Sequence, residues 1–116
     1  MATRLSAAQK ALREISEREW QNQVHRLALA KGWKYYHAPD NKPVNGRIQK
    51  VVAGFPDCVL VKGKRLIFAE LKRENGKVSS EQTDWLVALA ATGAECYVWR
   101  PSQAREVLEI LSKKPN

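Results

Sequence analysis

The chain has few of the residues that announce common chemistries. Two cysteines, Cys58 and Cys96, occur in 116 residues, and no CxxC spacing joins them. With only His25 and His37 beside them, the ligand set for a zinc site is lacking. Each cysteine sits inside a β-like apolar run, so both read as reduced core residues, in keeping with a reducing compartment. A Gly-rich phosphate loop is absent, as is any Cys/His pair at a telling spacing. No nucleotide or organic cofactor is therefore expected, and no thiol nucleophile. No apolar run approaches the roughly 20 residues that span a bilayer, which excludes a helical membrane crossing. Residues 1–5 lack the apolar stretch of a secretory leader, so the expected location is the cytoplasm. Repeats and low-complexity segments are also missing.

Positive charge is plentiful. Twenty Lys and Arg against twelve Asp and Glu leave a formal net charge of +8 and a pI near 9.8. Such an excess favours a polyanionic partner, nucleic acid before an anionic membrane. The apolar fraction of 44% is that of an ordinary globular protein, and the length suits one domain. Residues 1–15 read as an arm or an extra helix, 16–113 as the domain and 114–116 as a tail.

Along the chain, Ser16 and Glu19 have the spacing of a capping box, with Ile15 and Trp20 as the hydrophobic staple. Trp20, Val24, Leu27 and Ala28 continue at helical spacing to Gly32, which predicts a helix over 17–31. The aromatic-rich stretch 33–38 reads as a strand. Residues 39–54 are rich in Pro, Asn and Gly and read as a loop carrying Lys42, Arg47 and Lys50. With Arg73 and Lys77, these cations are the candidate phosphate contacts. Residues 57–62 and 65–72 read as two strands turning at Gly63-Lys64. Ser79 and Gln82 form a second capping-box pattern ahead of Trp85, Leu86 and Leu89. Residues 95–99 read as a strand and 102–113 as a helix. The expected fold is α/β, a mixed sheet flanked by helices in the order α-β-β-β-α-β-α.

The two-residue turn has a chemical consequence. It sets Lys62 opposite Arg65 and, counting back, Asp57 opposite Glu70. Opposed residues in an antiparallel pair share a face, with Cβ atoms roughly 4.5–5.5 Å apart. Two carboxylates so placed repel, and a hard divalent cation resolves the conflict with convergent oxygen ligands. Lys72, two residues beyond Glu70, returns to the same face. There it can orient a water or stabilise negative charge on a reacting phosphate. Ile67, Ala69 and Leu71 face the other way and can pack under a helix.

Pro56-Asp57 followed by Glu70-Leu71-Lys72 on adjacent strands resembles the PD-(D/E)XK nucleases, which have a restriction-endonuclease-like core. The longer series resembles the VRR-NUC (virus-type replication-repair nuclease) branch. It comprises Glu17-Arg-Glu-Trp-Gln21, Gly32-Trp33 with His37, Gly54-Phe-Pro-Asp57, Glu70 to Gly76, Ser80-Glu-Gln82 with Trp85-Leu86, and Val98-Trp-Arg-Pro101. The resemblance implies Asp57 and Glu70 as ligands of Mg2+ or Mn2+, with the Leu71 carbonyl and Glu17 as further ligands. Glu17 is preferred over Glu19, which capping already explains. Lys72 would be the catalytic lysine and Gln82 a site glutamine on the next helix, while His37 reads as a satisfied structural histidine.

By the same resemblance the chain is a DNA endonuclease leaving 5′-phosphate and 3′-hydroxyl ends. Branched DNA such as a Holliday junction is the expected substrate, and a homodimer the expected assembly. A flap or nicking nuclease is the nearest alternative, and a non-catalytic basic nucleic-acid-binding module the rival from another class.

Overall fold

Serine begins three of the four α-helices among the described residues, which in this computed structural model are 4–38, 43–44, 47–48 and 52–114. Helix α1 (Ala7–Glu14) has a full capping box: the Ser6 hydroxyl accepts from the Gln9 N–H, and Gln9 Oε1 accepts from the Ser6 N–H. Of the two readings of residues 1–15, arm or extra helix, the structure has the helix. Helix α2 (Glu17–Ala30) makes only half of the expected box. Ser16 accepts from the Glu19 N–H, but the Glu19 carboxylate turns to the Ser16 hydroxyl at 3.1 Å instead of to its backbone. Gly32, at φ 83°, turns the chain after the helix, a conformation that costs glycine little.

Strand β1 (Lys34–His37) follows. The next segment corrects the sequence reading of 39–54 as a loop without strands. Within it β2 (Pro43–Val44) and β3 (Arg47–Ile48) pair antiparallel. In sequence the residues between them are Asn45-Gly46, the dipeptide most favoured at two-residue hairpins. Lys42 and Lys50 lie outside the described residues, as does the side chain of Arg47.

Strands β4 (Cys58–Lys62) and β5 (Arg65–Leu71) pair antiparallel with Lys62 opposite Arg65 and Cys58 opposite Ala69. Helix α3 (Ser80–Ala90) then carries the chain back, so that β6 (Glu95–Trp99) runs parallel to β5; a parallel neighbour requires such a crossover. The sheet order is β1-β4-β5-β6. The last helix begins later than the expected 102, with a 3-10 turn over Pro101–Gln103 ahead of α4 (Ala104–Ser112). No helix among the described residues is long and apolar enough to cross a membrane.

Strand alternation divides the sheet into two unlike faces. Cys58, Leu60, Ile67, Ala69 and Leu71 point to one face and meet Trp20, Val24 and Ala28 of α2 and Val107 and Leu111 of α4. Phe68 and Glu70 point to the other, under α3, where Phe55 stands edge-on to both Phe68 and Trp85. The buried indoles are anchored to backbone. Trp20 Nε1 donates to the Trp99 carbonyl at 2.9 Å and Trp33 Nε1 to that of Leu111 at 3.0 Å.

Arg65 closes the end of the sheet away from Asp57. Its guanidinium grips the Glu95 carboxylate with two bonds of 2.7 and 2.8 Å and donates to the Ile110 and Lys113 carbonyls. It also lies 4.9 Å from the centre of the Trp33 ring. One planar group thereby joins β5, β6, α4 and the residue before β1, a fork that lysine cannot reproduce. Arg65→Ala is expected to lower stability by about 2–3 kcal/mol. Arg65→Lys should recover only part of this in urea unfolding; full recovery by lysine would show that charge alone matters.

Candidate active site

The segment leading into β4 is fixed from three sides. Gly54, at φ 82°, presses so close to α3 that a Cβ there would lie 2.5 Å from the Glu81 carbonyl carbon. Pro56 is fully buried. The Ala38 N–H donates to the Asp57 carbonyl at 2.7 Å, and the Leu71 N–H donates to Asp57 Oδ2 at 2.9 Å. The carboxylate of Asp57 thus occupies the place where the next ladder bond from β5 would have gone.

Extending the β4–β5 register by one step from Cys58–Ala69 sets Asp57 against Glu70, close enough for the Asp57 carboxylate to act on the Glu70 carboxyl. A further step sets Leu71 against Pro56, which has no N–H to give the Leu71 carbonyl. That oxygen is therefore not needed by β4 and faces the same strand end as Asp57.

Glu70 is 1% exposed. Its Oε1 accepts from Gln82 Nε2 at 2.8 Å and lies 3.7 Å from Lys72 Nζ. Its Oε2 is buried with no partner. Burial first, then the Asp57 carboxylate, push the Glu70 carboxyl up to about 8; Lys72 opposes this, and Glu17 adds a smaller repulsion. An orphaned buried carboxylate oxygen costs about 1–3 kcal/mol, more when ionised. A cation next to it would remove that cost, so the pair Asp57–Glu70 fits a divalent ion. Among the described residues no three His, Cys, Asp or Glu side chains form a ready-made metal-binding group, and the two carboxylates would need backbone or solvent oxygens to complete the shell.

Gln82 does two things that the sequence presented as alternatives. Its Oε1 accepts from the Ser79 N–H as the N3 member of a capping box, and its Nε2 donates to Glu70. An amide has both an acceptor and a donor end, so capping aims the donor at the site. The half-buried residues Trp85, Leu86 and Leu89 share this face of α3.

Glu17 opens α2 and lines a cleft of about 570 Å3 between that helix and β1. Glu19, engaged by Ser16, is exposed. His37 corrects the sequence reading of a satisfied structural histidine: it lines the same cleft, and its buried Nε2 has no hydrogen-bond partner among the described residues. Its position facing the core edge of β1, opposite Cys58, could have been read from alternation, but its missing partner could not.

Arg73 and Lys77 are exposed, and Arg73 donates to the Arg13 carbonyl at 3.2 Å, tying α1 to the segment after Lys72. Arg100 stands in the Val98–Pro101 stretch, where its sequence neighbours give no sign of its contacts. It donates to the carbonyls of Arg73 at 2.9 Å and Gly76 at 2.7 Å and so holds the turn that follows Lys72.

A family profile for the VRR-NUC domain matches residues 6–103 of this chain. The chain belongs to the VRR-NUC family. A solved structure described as a VRR-NUC domain shares the fold, with a TM-score of 0.60 at 22% identity over 81% of this chain and 95% of that one. No curated protein matches the chain. A VRR-NUC domain is a nuclease-type domain acting on nucleic acid, and domains of this family usually employ divalent metals. The matched stretch begins at Ser6, the residue that caps α1.

Without a divalent cation, the raised carboxyl of Glu70 makes stability depend on pH. Folded Glu70 holds its proton up to about 8, whereas the unfolded carboxyl releases it near 4.5. Between those values the folded state binds more protons, so stability falls as pH rises through the window. Thermal unfolding in EDTA is expected to show this decline, and Glu70→Gln to flatten it. An equal slope in the variant would assign the dependence to other groups.

Proposed function

We propose that this VRR-NUC domain is a DNA endonuclease dependent on magnesium or manganese. The carrying observation is the buried Glu70 carboxylate set beside Asp57, with one oxygen unpartnered and Lys72 Nζ 3.7 Å from the other. A binding module gains nothing from burying a repulsive carboxylate pair, which argues against the non-catalytic reading. Asp57 and Glu70 would hold the cation, with the Leu71 carbonyl and Glu17 as further oxygen donors. A bound divalent ion neutralises the carboxylates, polarises the phosphodiester and lowers the pKa of water.

The side chains divide the remaining work. Lys72, half-buried on the site face, offsets negative charge that builds on the phosphate oxygens as water attacks. Gln82 acts on Glu70 and is a positioning residue: its Nε2 bond fixes Oε1 and leaves Oε2 facing the site. Water oxygen bonds to phosphorus, the bond to the 3′ oxygen breaks, and that oxygen takes a proton. The products carry 5′-phosphate and 3′-hydroxyl ends. Lys77 and Arg73, with Lys42, Arg47 and Lys50, are the proposed phosphate contacts that hold the strand in place.

Branched DNA, including the four-way junction, is the proposed substrate and a two-fold homodimer the proposed assembly, since paired cuts require two symmetry-related sites. The cytoplasm is the proposed location. Asp57→Asn should abolish cleavage of labelled single-strand, duplex, flap and four-way-junction DNA in Mg2+ or Mn2+, with the circular dichroism spectrum unchanged. Lys72→Ala should lower turnover by at least about a hundredfold while retaining DNA binding. Intact DNA across the whole panel with wild-type protein would favour the binding module; full activity in Asp57→Asn would sink the metal-site assignment. Lys77→Ala is expected to reduce the slope of log affinity against log salt by about one, and an unchanged slope would remove Lys77 from the phosphate contacts.

A further inference from the structure

Apart from Glu17, the residues lining the cleft beside the acidic pair have no part in the chemistry above. One wall is a single face of α2: Glu17, Arg18, Gln21, Asn22 and His25 recur at helical spacing. The other wall is Tyr35 and His37, which alternation places on one face of β1. β1 is an edge strand of the four-stranded sheet among the described residues. Its volume of about 570 Å3 lies within the range of roughly 300–1,000 Å3 typical of small-molecule sites.

The cleft has a direction. Glu17 and His37 lie at the end nearest the acidic pair: Glu17 repels the Glu70 carboxylate, and His37 pairs with Cys58, the neighbour of Asp57. The far end is closed by His25 stacked on Tyr35, ring centres 4.3 Å apart and 16° from parallel. Glu17 and His25 are separated by about 12 Å along the helix axis, room for about one nucleotide unit.

The chemistry changes along that length. Next to Glu17, Arg18 brings to this wall a guanidinium suited to a phosphate, and the buried His37 Nε2 has no hydrogen-bond partner among the described residues. Beyond them come the Gln21 and Asn22 amides, which match the donor and acceptor edges of a base, and then a flat ring pair. A base inside a continuous duplex has its edge paired and both faces stacked, so it cannot enter such a cleft; an unpaired base can.

We propose that this cleft binds one unpaired nucleotide of the DNA strand adjoining the cleavage position, with its phosphate toward Arg18 and His37 and its base among Gln21, Asn22 and the His25–Tyr35 pair. The proposal rests on the nuclease reading for its substrate, and it gives that reading a physical basis for selecting branched over plain duplex DNA.

The test uses the full chain in EDTA, where binding is read apart from cleavage. A duplex carrying one unpaired 2-aminopurine at a branch is compared with the same duplex fully paired. The unpaired probe should bind more tightly, and its fluorescence should change on binding. The double substitution Gln21→Ala with Asn22→Ala, on the outer part of α2, should weaken binding of the unpaired probe by about tenfold and leave the paired duplex within about twofold. His37→Asn should behave likewise, with thermal unfolding confirming that each variant is folded. Equal losses on both probes, or no loss in either folded variant, would overturn the proposal. Preference for the unpaired probe without cleavage in any metal would leave the cleft standing and remove the nuclease reading. Cleavage with no preference in binding would do the reverse.

Discussion

The placement of two carboxylates at neighbouring strand ends, one of them almost fully buried, sets the terms for the rest of this domain. Glu70 cannot retreat into solvent, because β5 is a central strand and α3 covers that face. Asp57 repels it once it is ionised, and is itself committed to the Leu71 N–H. What remains is partial compensation from Gln82 and Lys72, and an oxygen left without a partner. An apolar residue at position 70 would pack with no such penalty, and the proposed divalent cation is what would offset it here.

The surroundings hold this conflict in place. The Trp99 carbonyl accepts from both the Trp20 indole and the Lys72 N–H, so one oxygen fixes α2 and the end of β5 against β6. Arg100, the next residue, ties down the turn after Lys72. Gly54 brings the Asp57 segment against the first turn of α3, the same turn that carries Gln82. A larger residue at 54 would push apart the two elements that contribute to the pair. The site is thus held by backbone and packed rings, which limits the movement available to Asp57 and Glu70 and keeps them near each other whether or not charge is compensated.

The sequence was most informative where the chain alternates strictly or turns tightly. A two-residue turn at Gly63-Lys64 leaves one register available, and from it Asp57 facing Glu70 follows by counting. Gln82 was legible twice, as a cap and as a site residue, because helix capping and side-chain direction are both local rules. Long-range polar contacts were not legible. Nothing in the order of residues says that Arg65 reaches Glu95, or that His37 lacks a partner, since both depend on how α2, α4 and β1 stack after the strands are set. The hairpin within 39–54 was missed for a different reason: a Pro- and Gly-rich stretch has so little periodicity that its one strong signal, Asn45-Gly46, was read as loop composition.

The two faces of the sheet also separate two demands on a nuclease. Positioning of charge at the acidic pair needs a dry, crowded setting, and the α3 face supplies it with Phe55, Phe68 and Trp85 around Glu70's strand. Recognition of a strand needs an open, polar setting, and the opposite face supplies that only at its margin, where α2 passes over the edge strand β1. Toward the centre of that face α2 buries Trp20, Val24 and Ala28. Its polar residues Glu17, Gln21 and His25 fall on a flank of the same helix, and the fourfold spacing that keeps them aligned also runs them away from the acidic pair. A single helix therefore seals the core with one side and, with the other, forms a graded wall leading to the carboxylates. Shape selectivity in this domain can reside in α2 and β1 without altering the register that brings Asp57 to Glu70.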